Sequence, residues 1–333
     1  ANDAGFGYAL CSNLAAGPAC TEGKAAGEIG REEQVVETKG IKVLMGAEDL
    51  TMDFRMSDTY TVHAVRNVSF SIHEGEIFGL VGESGSGKST IARLFSGIYK
   101  PTKGNVYYEG VVVNGEHAQA VQQARMRKEV QIVFQDSTAA LNPRMTVLEI
   151  LEEPLRIQHL RSSEQDCRQK AEEVLEKVGL RASYLEKHPS ELSGGQCQRV
   201  AIARTLMMRP RLIIADEPIA SMDVSLQAQI VNLFRELQRE QGFSMLFIAH
   251  DLGVIRYLSD TVGVMLDGKL VEIAPKEKLF REPLHPYTQS LLSAMHIPDP
   301  IVERQKTMYR YDRGQVLGTH MELHDGDHYV LCG

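Results

Sequence analysis

The chain has 333 residues, enough for one large domain or two smaller ones, and its 43% hydrophobic and 24% charged content describes an ordinary globule with a sizeable core. A net charge of −8 speaks against a broad nucleic-acid-binding face, and no apolar run approaches the ~18–20 residues of a membrane span. Its 5 cysteines, at 11, 20, 167, 197 and 332, form neither a Cys-x-x-Cys pair nor an even framework, which points to reduced thiols in a cytosolic setting.

Residues 1–40 are rich in Ala and Gly, show no sustained period, and lack the basic region and continuous apolar stretch of a secretory signal. They read as a flexible extension outside the fold, with Cys11 and Cys20 as idle thiols or, alternatively, metal ligands. Residues 41–72 read as three strands of an antiparallel sheet, at 41–45, 50–56 and 64–72. Tyr60 lies in the loop between two of them, where it is either an aromatic face for stacking on a base or a plain surface tyrosine.

The apolar run 77–81 reads as a buried strand leading into a Gly-x-x-x-x-Gly-Lys-Ser turn and a helix that opens at Lys88. The turn spans Gly82, Glu83, Ser84, Gly85, Ser86, Gly87, Lys88, Ser89 and Thr90. Glycines allow backbone N–H groups to close around phosphate oxygens, and the new helix aims its free N–H groups at the same anion. Lys88 adds a point charge at the β/γ-phosphates, and the Ser89 hydroxyl can ligate Mg²⁺. The pattern predicts nucleoside triphosphate binding.

Downstream, 105–108 and 111–113 continue the sheet, with Asn114-Gly115 as a hairpin signal, and 119–128 forms a polar helix. The strand 131–134 ends in Gln135, which can reach a metal-bound water or a γ-phosphate. From 137 to 192 the pattern changes: amphipathic helices at 145–159 and 164–178 with no strand between them read as a helical insert. In 191–199, Ser193 is a candidate N-cap and Gly194 and Gly195 free the backbone of the next turn, giving either a second anion-binding helix start or a capped helix with a glycine hinge.

The buried strand 211–216 ends in Asp216 and Glu217 at what would be the carboxyl edge of a parallel sheet. There Asp216 can hold a metal through water and Glu217 can accept a hydrogen bond from an attacking water. Asp223 begins a helix over 224–241, and the strand 244–248 leads to His250, a γ-phosphate contact or a structural histidine. A hairpin over Asp267-Gly268 follows, then a helix at 287–295 and a hairpin at Asp325-Gly326. The acids and histidines from His320 to His328 read as the solvated surface of that hairpin rather than as metal ligands.

Taken in order, the Gly82–Ser89 loop, Gln135, Leu192-Ser193-Gly194-Gly195-Gln196, Asp216-Glu217, Asp223 and His250 resemble the ATP-binding cassette (ABC) ATPases over about residues 45–300. Val133-Phe134-Gln135-Asp136, Leu141-Asn142-Pro143-Arg144 and His285-Pro286-Tyr287-Thr288 narrow the resemblance to the ATPases of oligopeptide, dipeptide and nickel importers. The resemblance implies an α/β fold, a P-loop NTPase (RecA-like) core with an antiparallel β-subdomain and an inserted α-helical subdomain. It divides the chain into an extension at 1–40, an ATPase domain at 41–275 with its helical subdomain at about 137–195, and a C-terminal extension at 276–333.

It further implies ATP and Mg²⁺ as ligands, with Ser89, Gln135 and Asp216 at the metal, Tyr60 and the loop at ATP, Glu217 as general base and His250 at the γ-phosphate. Ser193, Gly194, Gly195, Gln196 and Asp223 would act across a head-to-tail dimer, on the other subunit's nucleotide. The implied partners are a second cassette, identical or a sister, two transmembrane permeases docked near 135–160 at the cytoplasmic face of the membrane, and indirectly an extracytoplasmic binding protein, but no nucleic acid. Relatives often carry a C-terminal cysteine cluster, sometimes with iron–sulfur; only Cys332 stands in that region here, so no cluster is expected. The implied function is ATP-driven import of peptides, nickel or other small solutes. The alternative is a soluble ABC ATPase of the DNA-repair or translation-factor type, but the 105 positions between Lys88 and Ser193 hold no long coiled coil, and the chain has one cassette.

Overall fold

The computed structural model describes residues 42–115, 118–160, 163–220, 222–295, 308–312 and 318–332; the expectations for residues 1–40, with Cys11 and Cys20, lie outside them. Strands β1 (Val43–Arg55) and β2 (Thr61–His73) pair antiparallel with several slips in register. β1 runs through the stretch where two strands were expected. Asp49, at φ 50°, bends the strand there without ending it. β3 (Ile77–Gly82), buried at every position, leads into α1 (Lys88–Phe95).

β4 (Lys103–Tyr108) and β5 (Val111–Val112) complete a four-stranded sheet in the order β2-β1-β4-β5. Their hairpin turns at Glu109-Gly110, with φ 51° and 79°, not at Asn114-Gly115. Asn114 instead spends its side chain on the sheet edge, accepting from the Val106 N–H and donating to the Gly104 carbonyl. α2 (Ala120–Glu129) then feeds β6 (Val130–Val133).

Four helices follow with no strand between them among the described residues: α3 (Ser137–Ala140), α4 (Val147–Ile157), α5 (Glu164–Lys177) and α6 (Gly194–Leu206). Each begins at a residue built to start it. Thr146 and Glu149 form a capping box on α4, and the Ser163 hydroxyl accepts from the Asp166 N–H at the start of α5. Val147, Ile150, Leu151 and Leu155 of α4 and Ala171, Val174 and Leu175 of α5 turn inward and join the main core.

The rest of the chain alternates: β7 (Leu212–Asp216), α7 (Val224–Gln241), β8 (Ser244–Ile248), α8 (Leu252–Leu258), β9 (Thr261–Leu266) and β10 (Lys269–Pro275). α9 (Lys276–Arg281), α10 (Pro286–Ser293), β11 (His320–Asp325) and β12 (His328–Cys332) close it. The second sheet has the order β11-β12-β10-β9-β3-β8-β7-β6. β9, β3, β8, β7 and β6 run parallel, and β10, β12 and β11 extend them antiparallel. Burial on both faces explains why β3, β7 and β8 read as unbroken apolar runs. The pairing of Asp216 with Ile248 brings two strand ends level, beside the loop that leaves β3. None of the described helices is long and apolar enough to cross a membrane.

The C-terminal hairpin corrects one expectation. It is not a solvated appendage: β12 pairs with β10 at the edge of the central sheet, and His328 is buried, its Nε2 2.7 Å from Glu272 Oε1. Glu272 is itself fully buried, and a buried carboxylate needs such a partner. His320, Glu322, His324, Asp325 and Asp327 are exposed, and no group of three or more His, Cys, Asp or Glu that could hold a metal occurs among the described residues.

Candidate functional site

The site grows from the loop between β3 and α1. Gly87 sits at φ 104°, where a Cβ would lie 2.3 Å from the Ala64 carbonyl oxygen, so only glycine lets the loop pass this close to β2. α1 carries no side-chain cap and no acid in its first turn, which leaves its leading N–H groups for an anion. Lys88 is buried. Its Nζ donates to the carbonyls of Gly82 and Glu83, both at 2.8 Å, and approaches Ser86 Oγ at 3.5 Å. Burial lowers its pKa, against the pull of Glu217, Asp216 and Glu83.

Ser89 donates its hydroxyl to Asp216 Oδ1 at 2.8 Å, joining the start of α1 to the end of β7. Asp216 is buried, and burial raises its pKa while the Ser89 hydrogen bond works the other way. The next residue, Glu217, takes a left-handed backbone at φ 46°, with its N–H held by the Ile248 carbonyl at 3.1 Å. A non-glycine residue in that region costs on the order of 1 kcal/mol, and such strain concentrates where a side chain must be aimed. Here it aims a carboxylate. Gln135 Nε2 donates to Glu217 Oε2 at 3.0 Å, Lys88 Nζ lies 4.0 Å from Oε1, and His250 Nδ1 lies 4.0 Å from Oε2. His250 is otherwise exposed.

An open cleft of about 840 Å³ runs along this arrangement, its walls including Tyr60, Ser84, Lys88, Gln135, Glu217 and Tyr311. Gly85, Gly87, Ser89 and Thr90 also line it. Tyr60 is exposed at one end of it, between β1 and β2. Gly82 and Ser86 are buried beneath the loop, while Glu83, Ser84 and Gly85 face outward. Arg66, Asp267, Lys269 and Tyr311 line the same cleft and were missed in the sequence. The first three read as ordinary strand and turn residues, and Tyr311 arrives from a segment with no periodic signal.

The Leu192–Gln196 segment lies elsewhere. The Ser193 hydroxyl accepts from the Gln196 N–H at 3.4 Å, and the Gln196 side chain accepts from the Ser193 N–H at 2.9 Å, a reciprocal cap on α6. Ser193 and Gly194 are exposed. Gly195 is buried, and a Cβ on it would lie 2.7 Å from Leu226 in the first turn of α7, the helix capped by Asp223. Ser193, Gly195 and Gln196 line a second cleft, of about 620 Å³, that shares no lining residue with the first.

The family model described as ABC transporter matches residues 65–220, and that described as the C-terminal region of oligopeptide/dipeptide transporters matches residues 271–315. The chain is 45% identical over 298 residues to the oligopeptide transport ATP-binding protein OppF of Streptococcus mutans, covering 89% of this chain and 96% of that protein. It is 47% identical over 282 residues to OppF of Bacillus subtilis, covering 82% and 90%. Among solved structures it is similar to the dimeric ATP-binding cassette MJ0796 in a post-hydrolysis state bound to ADP and Pi, with a TM-score of 0.63 and 31% identity over 70% of this chain and 99% of that one.

Proposed function

The chain belongs to the ABC transporter family, in its oligopeptide-transport branch, and from that premise we propose how its residues carry out the work of an ATP-hydrolysing importer subunit. ATP occupies the first cleft. Tyr60 stacks on the base, and the Ser84–Thr90 backbone, the free N–H groups of α1 and the Lys88 ammonium hold the phosphates, with Glu83 at the edge of the loop. The Ser89 hydroxyl and Asp216 carboxylate are hard oxygen donors already within 2.8 Å of each other, a set that suits Mg²⁺. With Gln135 they would hold the ion, which when bound neutralises charge on the phosphate oxygens. Glu217 orients and deprotonates the attacking water, and His250 contacts the γ-phosphate.

The separation of the two clefts carries the dimer reading. Ser193 and Gly194 are exposed at a helix start built to face an anion, yet they stand apart from the loop that holds Lys88. Two chains arranged head to tail would each set Ser193, Gly194, Gly195, Gln196 and Asp223 against the other's triphosphate. Contacts made to ATP but not to ADP then drive closure and release. The second chain is a copy or a sister cassette. The pair works beneath two permeases at the cytoplasmic face, docked near 135–160, with peptides as cargo.

Replacing Glu217 with Gln tests this. The variant should retain ATP and run as a dimer in its presence, while hydrolysis falls by about a hundredfold or more. Wild-type turnover in that variant would remove Glu217 from the role of base.

A further inference from the structure

We propose that Tyr287, far from the phosphate-binding loop in sequence, is a positioning residue for it and acts through the peptide that joins Gly82 to Glu83. The Tyr287 hydroxyl accepts the Glu83 N–H at 3.2 Å. The carbonyl of that same peptide, on Gly82, accepts from Lys88 Nζ at 2.8 Å. A trans peptide points its C=O and N–H in opposite directions, so the unit is gripped from both sides. Gly82, at φ 151°, would otherwise allow this peptide to swing. While Tyr287 holds the N–H, the carbonyl stays turned toward Lys88, and the ammonium is kept at the floor of the loop.

Tyr287 is itself fixed. It is buried, and its ring meets Tyr311 edge-on at 5.6 Å. Its backbone N–H is capped by His285 Nδ1 at 3.1 Å. The N–H groups of Leu284 and His285 are in turn held by the Glu272 carboxylate, at 2.8 and 3.0 Å, and that carboxylate also contacts His328 on β12. The grip on the loop is therefore anchored in the C-terminal part of the chain.

Replacing Tyr287 with Phe removes one oxygen and keeps the buried ring. We expect the KM for ATP to rise about three- to tenfold, the worth of one hydrogen bond, with kcat within about twofold. A merely structural role would instead lower the active fraction, cutting kcat at fixed KM. The second arm is amide exchange at Glu83 in the nucleotide-free full-length chain, which should be protected in the wild type and about tenfold or more faster in the variant. An unchanged KM, a fall in kcat alone, or equal exchange in the two proteins overturns the proposal. Should the variant fail to fold, an unprotected Glu83 amide in the wild type overturns it equally. The KM arm rests on the ATP-hydrolysis reading and the exchange arm does not, so a wild type without ATPase activity would sink that reading and leave the exchange result to judge Tyr287.

Discussion

On the proposed dimer arrangement Ser193 would serve both as a helix cap and as a contact across the dimer, and one substitution reads out the two separately. The Ser193 hydroxyl closes the cap on α6, and the residue is exposed in a cleft that shares no lining with the one around Lys88. Ser193→Ala should cost about 1 kcal/mol in denaturant unfolding, as loss of an N-cap does. ATP affinity of the isolated chain should not change, because Ser193 lines a different cleft from Lys88. Turnover under dimer-forming conditions should fall by tenfold or more. A parallel loss of ATP affinity in the monomer would place Ser193 in its own chain's site. Two neighbouring carboxylates also part: Asp216, at the end of β7, meets Ser89, while Glu217, at φ 46°, faces the cleft and meets Gln135.

The two sheets are tied by charge as well as by packing. Glu109, in the turn between β4 and β5, accepts from Lys42 Nζ at 3.0 Å and from the guanidiniums of Arg125 and Arg211, the latter just ahead of β7. Burial alone would raise its pKa, but the hydrogen bonds from Arg211 and Lys42 outweigh it and bring it to about 2. The folded pKa lies below the unfolded one, so the unfolded chain binds more protons between them. The stabilisation is complete above about pH 4.5 and is lost as pH falls toward 2. Glu109→Gln should therefore lower unfolding free energy by about 1–2 kcal/mol at pH 7, and the difference from wild type should shrink by pH 3. An equal difference at both pH values would assign the effect to packing. Elements set by local signals were legible beforehand. α7 spans Val224–Gln241, as read from Asp223 at its start, and Gly242 stops it at φ 70°. The strands on either side of the β4–β5 turn were legible at 105–108 and 111–113, but the hairpin signal at Asn114-Gly115 misled, since that asparagine bonds the sheet edge instead of turning a hairpin. The loop residues of the site could be read from their motif, and Asp216 and Glu217 from their strand. Tyr311 and Tyr287 could not, since each meets the loop region through tertiary packing with no sequence period to announce it.

At the scale of the whole molecule, the buried pair of Glu272 and His328 holds the C-terminal hairpin to the sheet that also carries the strand ends at Asp216 and Ile248. His328→Ala leaves Glu272 with its two backbone donors and no side-chain partner among the described residues. The cost should be about 1–3 kcal/mol, read as a lower denaturation midpoint. An unchanged midpoint would mean that water replaces the imidazole and that the pair contributes little. The hairpin also decides how the sheet ends. Its outermost described strand, β11, is His-Met-Glu-Leu-His-Asp, nearly all of it facing solvent. Acids and imidazoles along such a rim make it a poor template for another chain's backbone. Copies of this protein are thereby discouraged from zipping together edge to edge into fibres.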